Sequence, residues 1–164
     1  MIINVLGIFH LIHSPFLIIF PFLIQNFTSD ILYLIYFFLN MYLYTFIEGE
    51  CPISYACKKI KDNKYCAGNN ITHYPEMEFL FANKEYINCY FGVMTTLYIL
   101  TLCFIIRRTN LPIYPFSVPF LFLFAYFLSI RKILVIKSRA NLVLFQDATK
   151  CILFFTIALL AIRL

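Results

Sequence analysis

His10 and His13 stand three residues apart inside an otherwise uncharged apolar run. At that spacing two imidazoles share one face of a helix, where they can ligate a metal or haem or relay protons. An ionisable group inside a membrane span is expensive to keep there, which makes it a functional candidate by default. A haem held by paired histidines would need further ligands on another span, and no other apolar run carries a histidine. His10 and His13 are therefore expected to be structural, neutral and hydrogen-bonded between helices, and no cofactor is expected.

Glu48 and Glu50 bracket Gly49 and precede Cys51-Pro52-Ile53-Ser54. Paired carboxylates divide acid and base work when their surroundings push their pKa values apart. Nothing in the spacing sets a nucleophile beside these two, so they read as a helix stop in a hydrated interfacial turn. Cys51, Cys57, Cys66 and His73 are the residue types of a zinc site, but five, eight and six residues separate them. A structural zinc site usually contains a tight Cys-x2–4-Cys knuckle, so no metal is expected. Asp147 and Lys150 sit one helical turn apart, a spacing that favours an ion pair over a coupled transport site. The chain contains no Gly-rich phosphate loop, no His-Glu-x-x-His helix and no Gly-x-Ser-x-Gly turn. An enzyme has no positive support from motifs.

The elements that must position these groups are apolar. Of the 164 residues, 62% are hydrophobic and 13% charged, against about 45–50% and about 25% in soluble domains. A core of this size cannot hide that much apolar surface. A soluble enzyme and a disordered tail are both excluded. The formal net charge is +5, but the basic residues lie beside apolar runs, where they orient a membrane protein and meet anionic headgroups. Nucleic acid is not an expected partner; the lipid bilayer is, with further protein partners or a homo-oligomer open.

Five runs read as spans of one membrane domain over residues 1–164: 2–24, 31–47, 86–106, 113–130 and 141–162. The first lacks the basic region and cleavage site of a signal peptide and reads as a retained helix. Pro15 and Pro21 should kink or shorten it. The second follows Thr28-Ser29-Asp30, a capping cluster. The third closes at Arg107-Arg108. The fourth has Pro112, Pro115 and Pro119 near its start, where a missing donor costs least. In the fifth, Gln146, Asp147 and Lys150 leave a clean apolar part of only 12 residues, which keeps open four spans plus an interfacial C-terminal helix. Residues 49–85 form the one polar loop, and no repeat is present.

With five spans, the 49–85 and 131–140 loops share a side and carry nine basic residues, against Arg107, Arg108 and Arg163 opposite. The positive-inside rule places the large loop in the cytosol. Asn70-Ile71-Thr72 and the loop cysteines would suit a lumenal loop instead, and the charge count is preferred.

The stretch Glu48-Gly49-Glu50-Cys51-Pro52-Ile53-Ser54-Tyr55, after a histidine-bearing first span, resembles a pattern in small uncharacterised polytopic membrane proteins of bacteria and AT-rich large DNA viruses. This chain departs from that pattern in having no tryptophan. The resemblance implies an integral membrane protein of unassigned activity and carries over no functional residue. The expected fold is an all-α integral membrane bundle. The leading function class is a non-enzymatic structural or assembly subunit. A small oligomeric transporter or pore comes next, then a membrane-embedded lipid-modifying enzyme working at the Glu48–Cys51 turn.

Overall fold

The computed structural model describes residues 2–81, 83–130 and 139–164. The described residues form helices and turns, with no strand among them: α1 (Ile2–Leu23), α2 (Phe27–Phe46), α3 (Pro52–Lys61), α4 (Lys84–Arg108), α5 (Ile113–Ile130) and α6 (Arg139–Ala161). The all-helical expectation holds. Among the described residues three helices are long and apolar enough to cross a membrane: Ile2–Leu23, Lys84–Arg108 and Leu142–Ala161. At 1.5 Å per residue each reaches about 30 Å or more, the thickness of the hydrocarbon core. The last segment is thus one continuous helix whose polar residues do not break it. In α2, Asp30, Asn40, Thr45 and four tyrosines dilute the apolar character, and in α5 the described apolar part is Phe116–Tyr126.

α1 continues as helix past Pro15 and Pro21 to Leu23, so neither proline cuts it short. The reason is local at Pro15, which has no N–H for the Leu11 carbonyl one turn earlier. The Tyr90 hydroxyl of α4 donates to that carbonyl at 2.9 Å, so the orphaned group is satisfied by a neighbouring helix.

The start of α2 also differs from expectation. Asn26 is the N-cap, its side chain accepting the Ser29 N–H at 2.8 Å, and the helix begins at Phe27. This frees Asp30 from capping. Arg108, at the end of α4, donates from Nε to Asp30 Oδ2 at 2.8 Å and from a second nitrogen to Oδ1. Its third contact is the Pro21 carbonyl at 2.9 Å, one of the last four carbonyls of α1 that lack an intrahelical donor. One guanidinium thereby ties together the ends of α1, α2 and α4.

At the opposite end, Thr45 of α2 is the meeting point. Its carbonyl accepts from Gln146 of α6 and from the Tyr126 hydroxyl of α5. Between these two ends the core is apolar, with Ile31, Leu34, Phe38, Leu102, Ile105, Leu153 and Leu160 fully buried. Phe37, Phe116, Phe120 and Tyr98 stack around it. α2 and α5 pack on α6, and α1 packs on α4 and α3. Ile8, Phe9, Ile12, Phe16 and Ile19 of α1 are exposed, a continuous apolar face of the kind that lipid covers.

The polar segment contains α3, a ten-residue helix in what the sequence presents only as a loop. Its signals are Pro52 in the first turn and Lys58, Lys59 and Lys61 in the last, which match the two ends of the helix dipole. A sharp turn delivers it, with Glu48 at φ 51° and Gly49 at φ 84°.

Candidate functional site

Cys51 is the N-cap residue of α3, in extended conformation. A helix N-terminus carries partial positive charge and favours a thiolate over a thiol. His10, a little over two turns into α1, points at the same place. Its Nε2 lies 3.6 Å from Cys51 Sγ, and its Nδ1 lies 3.0 Å from Glu76 Oε1. The Ser54 hydroxyl, in the first turn of α3, donates to the same Glu76 oxygen at 2.5 Å. Thiol, imidazole and carboxylate therefore stand in series, with a hydroxyl fixing the last of them.

Tight backbone turns position Glu76. The Met77 N–H bonds to the Tyr74 carbonyl and the Leu80 N–H to the Met77 carbonyl, both at 3.0 Å. The turn lies directly on α1 at Gly7, the one place where the helix has no side chain to hold it away. Phe91 of α4 closes over the imidazole with ring centroids 5.0 Å apart. Cys51 is 8% exposed, His10 6% and Glu76 0%.

Burial alone would raise the Cys51 thiol. The hydrogen bond and charge of His10 outweigh that effect and hold it below the ordinary thiol value, with the Tyr44 hydroxyl contributing in the same direction. The same competition acts on Glu76. Burial pushes its carboxyl up, but hydrogen bonds from His10 and Ser54 overcome that and keep it below its usual range. Cys57 has no such partner, and burial pushes its thiol up to about 11. The surroundings thus push two buried thiols, six residues apart, in opposite directions.

A second buried cluster supports the first. The Glu50 carboxylate faces the Lys58 ammonium at 3.2 Å with both side chains almost fully buried. Glu50 also accepts from the Tyr65 hydroxyl and from the Gly68 N–H, the latter at 3.1 Å. Lys58 donates to the Asn70 carbonyl at 2.6 Å and lies over the Tyr65 ring. This network folds residues 62–70 back onto α3 and holds α3 in place under Cys51.

The residues singled out in the sequence separate as follows. His10 joins Cys51 and Glu76, whereas His13 bonds the Tyr36 hydroxyl at 2.7 Å and stacks on Phe9. Glu48 is exposed in the turn, and Glu50 is buried against Lys58, so the expectation that both acids are hydrated fails for Glu50. The zinc-type set is dispersed: Cys57 is buried within α3, Cys66 is exposed, and His73 bonds Glu78 at 2.8 Å. Among the described residues no group of three or more histidine, cysteine or acidic side chains is arranged to hold a metal ion. Lys150 reaches Asp147 at 3.1 Å and also lies over the Phe46 ring. Arg131, Lys132 and Lys137 lie outside the described residues, and Arg139 opens α6.

The sequence reading named Ser54 without assigning it a role and missed Glu76 altogether. Ser54 falls three residues after an N-cap, on the same helix face as Cys51, and that spacing was a usable signal. Glu76 carried none: it is one of two acids in Pro75-Glu76-Met77-Glu78, and only the fold separates the buried one from the exposed one.

A thiol within hydrogen-bond reach of an imidazole that is itself oriented by a carboxylate is the arrangement used by nucleophilic cysteines. No protein-family model, curated protein or solved structure matches this chain.

Proposed function

We propose that this chain is a membrane-embedded enzyme that transfers acyl groups through Cys51. His10 serves as base and acid, and Glu76 orients the imidazole. The observation that carries the reading is the series Cys51 Sγ–His10 Nε2 at 3.6 Å and His10 Nδ1–Glu76 Oε1 at 3.0 Å. In this reading the thiolate attacks a carbonyl carbon and a C–S bond forms. The bond to the leaving group breaks, and His10 passes that group a proton. Water or an alcohol then attacks the thioester while His10 takes up its proton, releasing the acyl product and restoring the thiolate. Glu48 and Glu50, the acids that drew attention to this turn, have no chemical part.

The finer topology belongs to the same reading. All five long helices cross the bilayer, α2 and α5 shielded by α6, with the 49–85 segment on the cytosolic side as the nine-to-three distribution of basic residues favours.

A second reading, a non-enzymatic assembly subunit in which the cluster only pins α1 to the polar segment, is favoured by the 8% exposure of Cys51. Alkylation separates the two. With iodoacetamide-alkyne at about pH 7, well below the pKa of an ordinary thiol, the folded protein should take label at Cys51, and His10→Gln should abolish most of it. A Cys51 that stays inert while the exposed Cys66 reacts would leave the subunit reading standing.

A further inference from the structure

Building on the Cys51 reading, we infer that Tyr44 of α2 is a positioning residue of that site: its main-chain carbonyl closes the turn that returns Cys51 to His10, and its hydroxyl donates to the Cys51 sulfur. The main-chain part acts first along the chain. α2 ends at Phe46, and the Gly49 N–H donates back to the Tyr44 carbonyl at 2.8 Å, while the Glu50 N–H donates to the Ile47 carbonyl at 3.1 Å. These two bonds close a turn in which Glu48 and Gly49 stand at φ 51° and 84°. A non-glycine residue keeps a positive φ only where its surroundings over-determine it. Two residues past Gly49, Cys51 caps α3.

The hydroxyl part closes the loop in space. The Tyr44 and Cys51 side chains are hydrogen-bonded to each other, with the phenol O–H as donor. The sulfur also accepts the Ser54 main-chain N–H and faces His10 Nε2 at 3.6 Å. Helices α1, α2 and α3 thus each bring a polar hydrogen to one sulfur. A buried thiolate without donors would revert to the thiol. Tyr44 is itself held by contacts that involve neither His10 nor Glu76: the carbonyl of the next residue, Thr45, accepts from Gln146 of α6 and from the Tyr126 hydroxyl of α5. In the proposed acyl transfer Tyr44 therefore acts through Cys51, keeping the sulfur charged and in one place while His10 handles the proton.

The full chain in nanodiscs is alkylated with iodoacetamide over a range of pH, and peptide mapping reads the rate at Cys51 alone. The plateau of that profile reports how readily the reagent reaches the sulfur, and the midpoint reports how well the thiolate is held. Tyr44→Phe keeps the ring and the main-chain carbonyl and removes only the hydroxyl. Its midpoint should rise by about one to two pH units, the effect of one hydrogen bond to a charged group, with the plateau unchanged. A ring-fluorinated tyrosine at position 44, a stronger donor of nearly the same size, should return the midpoint to the parental value or below it. Packing alone gives no such graded response. Gly49→Ala tests the turn: a Cβ at φ 84° strains the backbone, so Cys51 should move off its donors and the midpoint should rise although the hydroxyl is present.

A Tyr44→Phe midpoint equal to the parent's, or one that the fluorinated residue fails to restore, would overturn the inference. The Cys51 reading would survive that result as long as His10→Gln still raises the midpoint. A Gly49→Ala profile like the parent's would overturn the main-chain half. A parent whose Cys51 titrates as an ordinary thiol, at about 8.5, would bring down the underlying reading instead. Helical circular dichroism and a monodisperse elution profile for each variant keep misfolding from imitating any of these outcomes.

Discussion

Gly7 lies so close to the main chain of Glu76 that a Cβ there would overlap the Glu76 carbonyl oxygen and stand 2.7 Å from the Phe79 ring. The carboxylate end of the series is therefore docked on bare backbone. Glycine inside a helix ordinarily costs about 0.5–1 kcal/mol relative to alanine, so Gly→Ala at an open site stabilises. At Gly7 the sign should reverse. Gly7→Ala is expected to destabilise by about 1–3 kcal/mol through overpacking, and to lower Cys51 labelling because Glu76 moves off His10. Gly92, where an added Cβ would meet nothing within 4 Å, is the control. Thermal unfolding in one detergent should show Gly92→Ala level with or above the parent and Gly7→Ala below it.

Lys58 and Glu50 make a second test, because removing one charge differs from removing both. Lys58→Met should cost about 3–5 kcal/mol by leaving a buried carboxylate without its cation. Adding Glu50→Gln to it should recover a large part of that loss, although the bonds from Tyr65 and Gly68 will then meet a neutral acceptor. A double variant no more stable than Lys58→Met alone would show that the ion pair is not what holds residues 62–70 to α3. Chemical denaturation of the four proteins in one micelle gives the cycle.

The acid limb of stability should follow Glu76. Its carboxyl is held below the ordinary carboxylate value. The group therefore contributes fully above about pH 4.5, the unfolded carboxylate range, and the contribution is lost as pH falls through the depressed folded value. Glu76→Gln should flatten the melting temperature against pH in that window. Glu78 is also held down, chiefly by its hydrogen bond to His73, but it is well exposed. Its share should be small and should fade with added salt.

Sidedness is open to a thiol reagent that does not cross membranes. Cys66 is the suitable reporter, since it is exposed on the polar segment while Cys57 is buried in α3. Labelling of Cys66 should appear only after permeabilisation of intact cells. Equal labelling before and after would place the 49–85 segment outside the cytosol.

What could be read in advance followed local rules. Apolar length marked α1, α4 and α6, and the basic pair Arg107-Arg108 marked the end of α4 within two residues of the observed boundary. Asp147 and Lys150 are neighbours by helical periodicity alone. The pairings that build the site are of another kind. His10 meets Glu76 across 66 residues and Cys51 across 41, and neither separation leaves a trace in composition or periodicity. Asp30 shows how a correct local rule misleads: it sits where a cap belongs, yet Asn26 takes the cap and Arg108 takes Asp30.

That guanidinium also fixes an order in which its contacts can form. Asp30 lies 78 residues ahead of Arg108 in the chain, so the acid is synthesised long before its partner. Until the end of α4 exists, the Asp30 carboxylate lacks the guanidinium and the Pro21 carbonyl lacks the donor that each has in the finished fold. A chain ended before Arg108 would leave the ends of α1 and α2 without the side chain that ties them together.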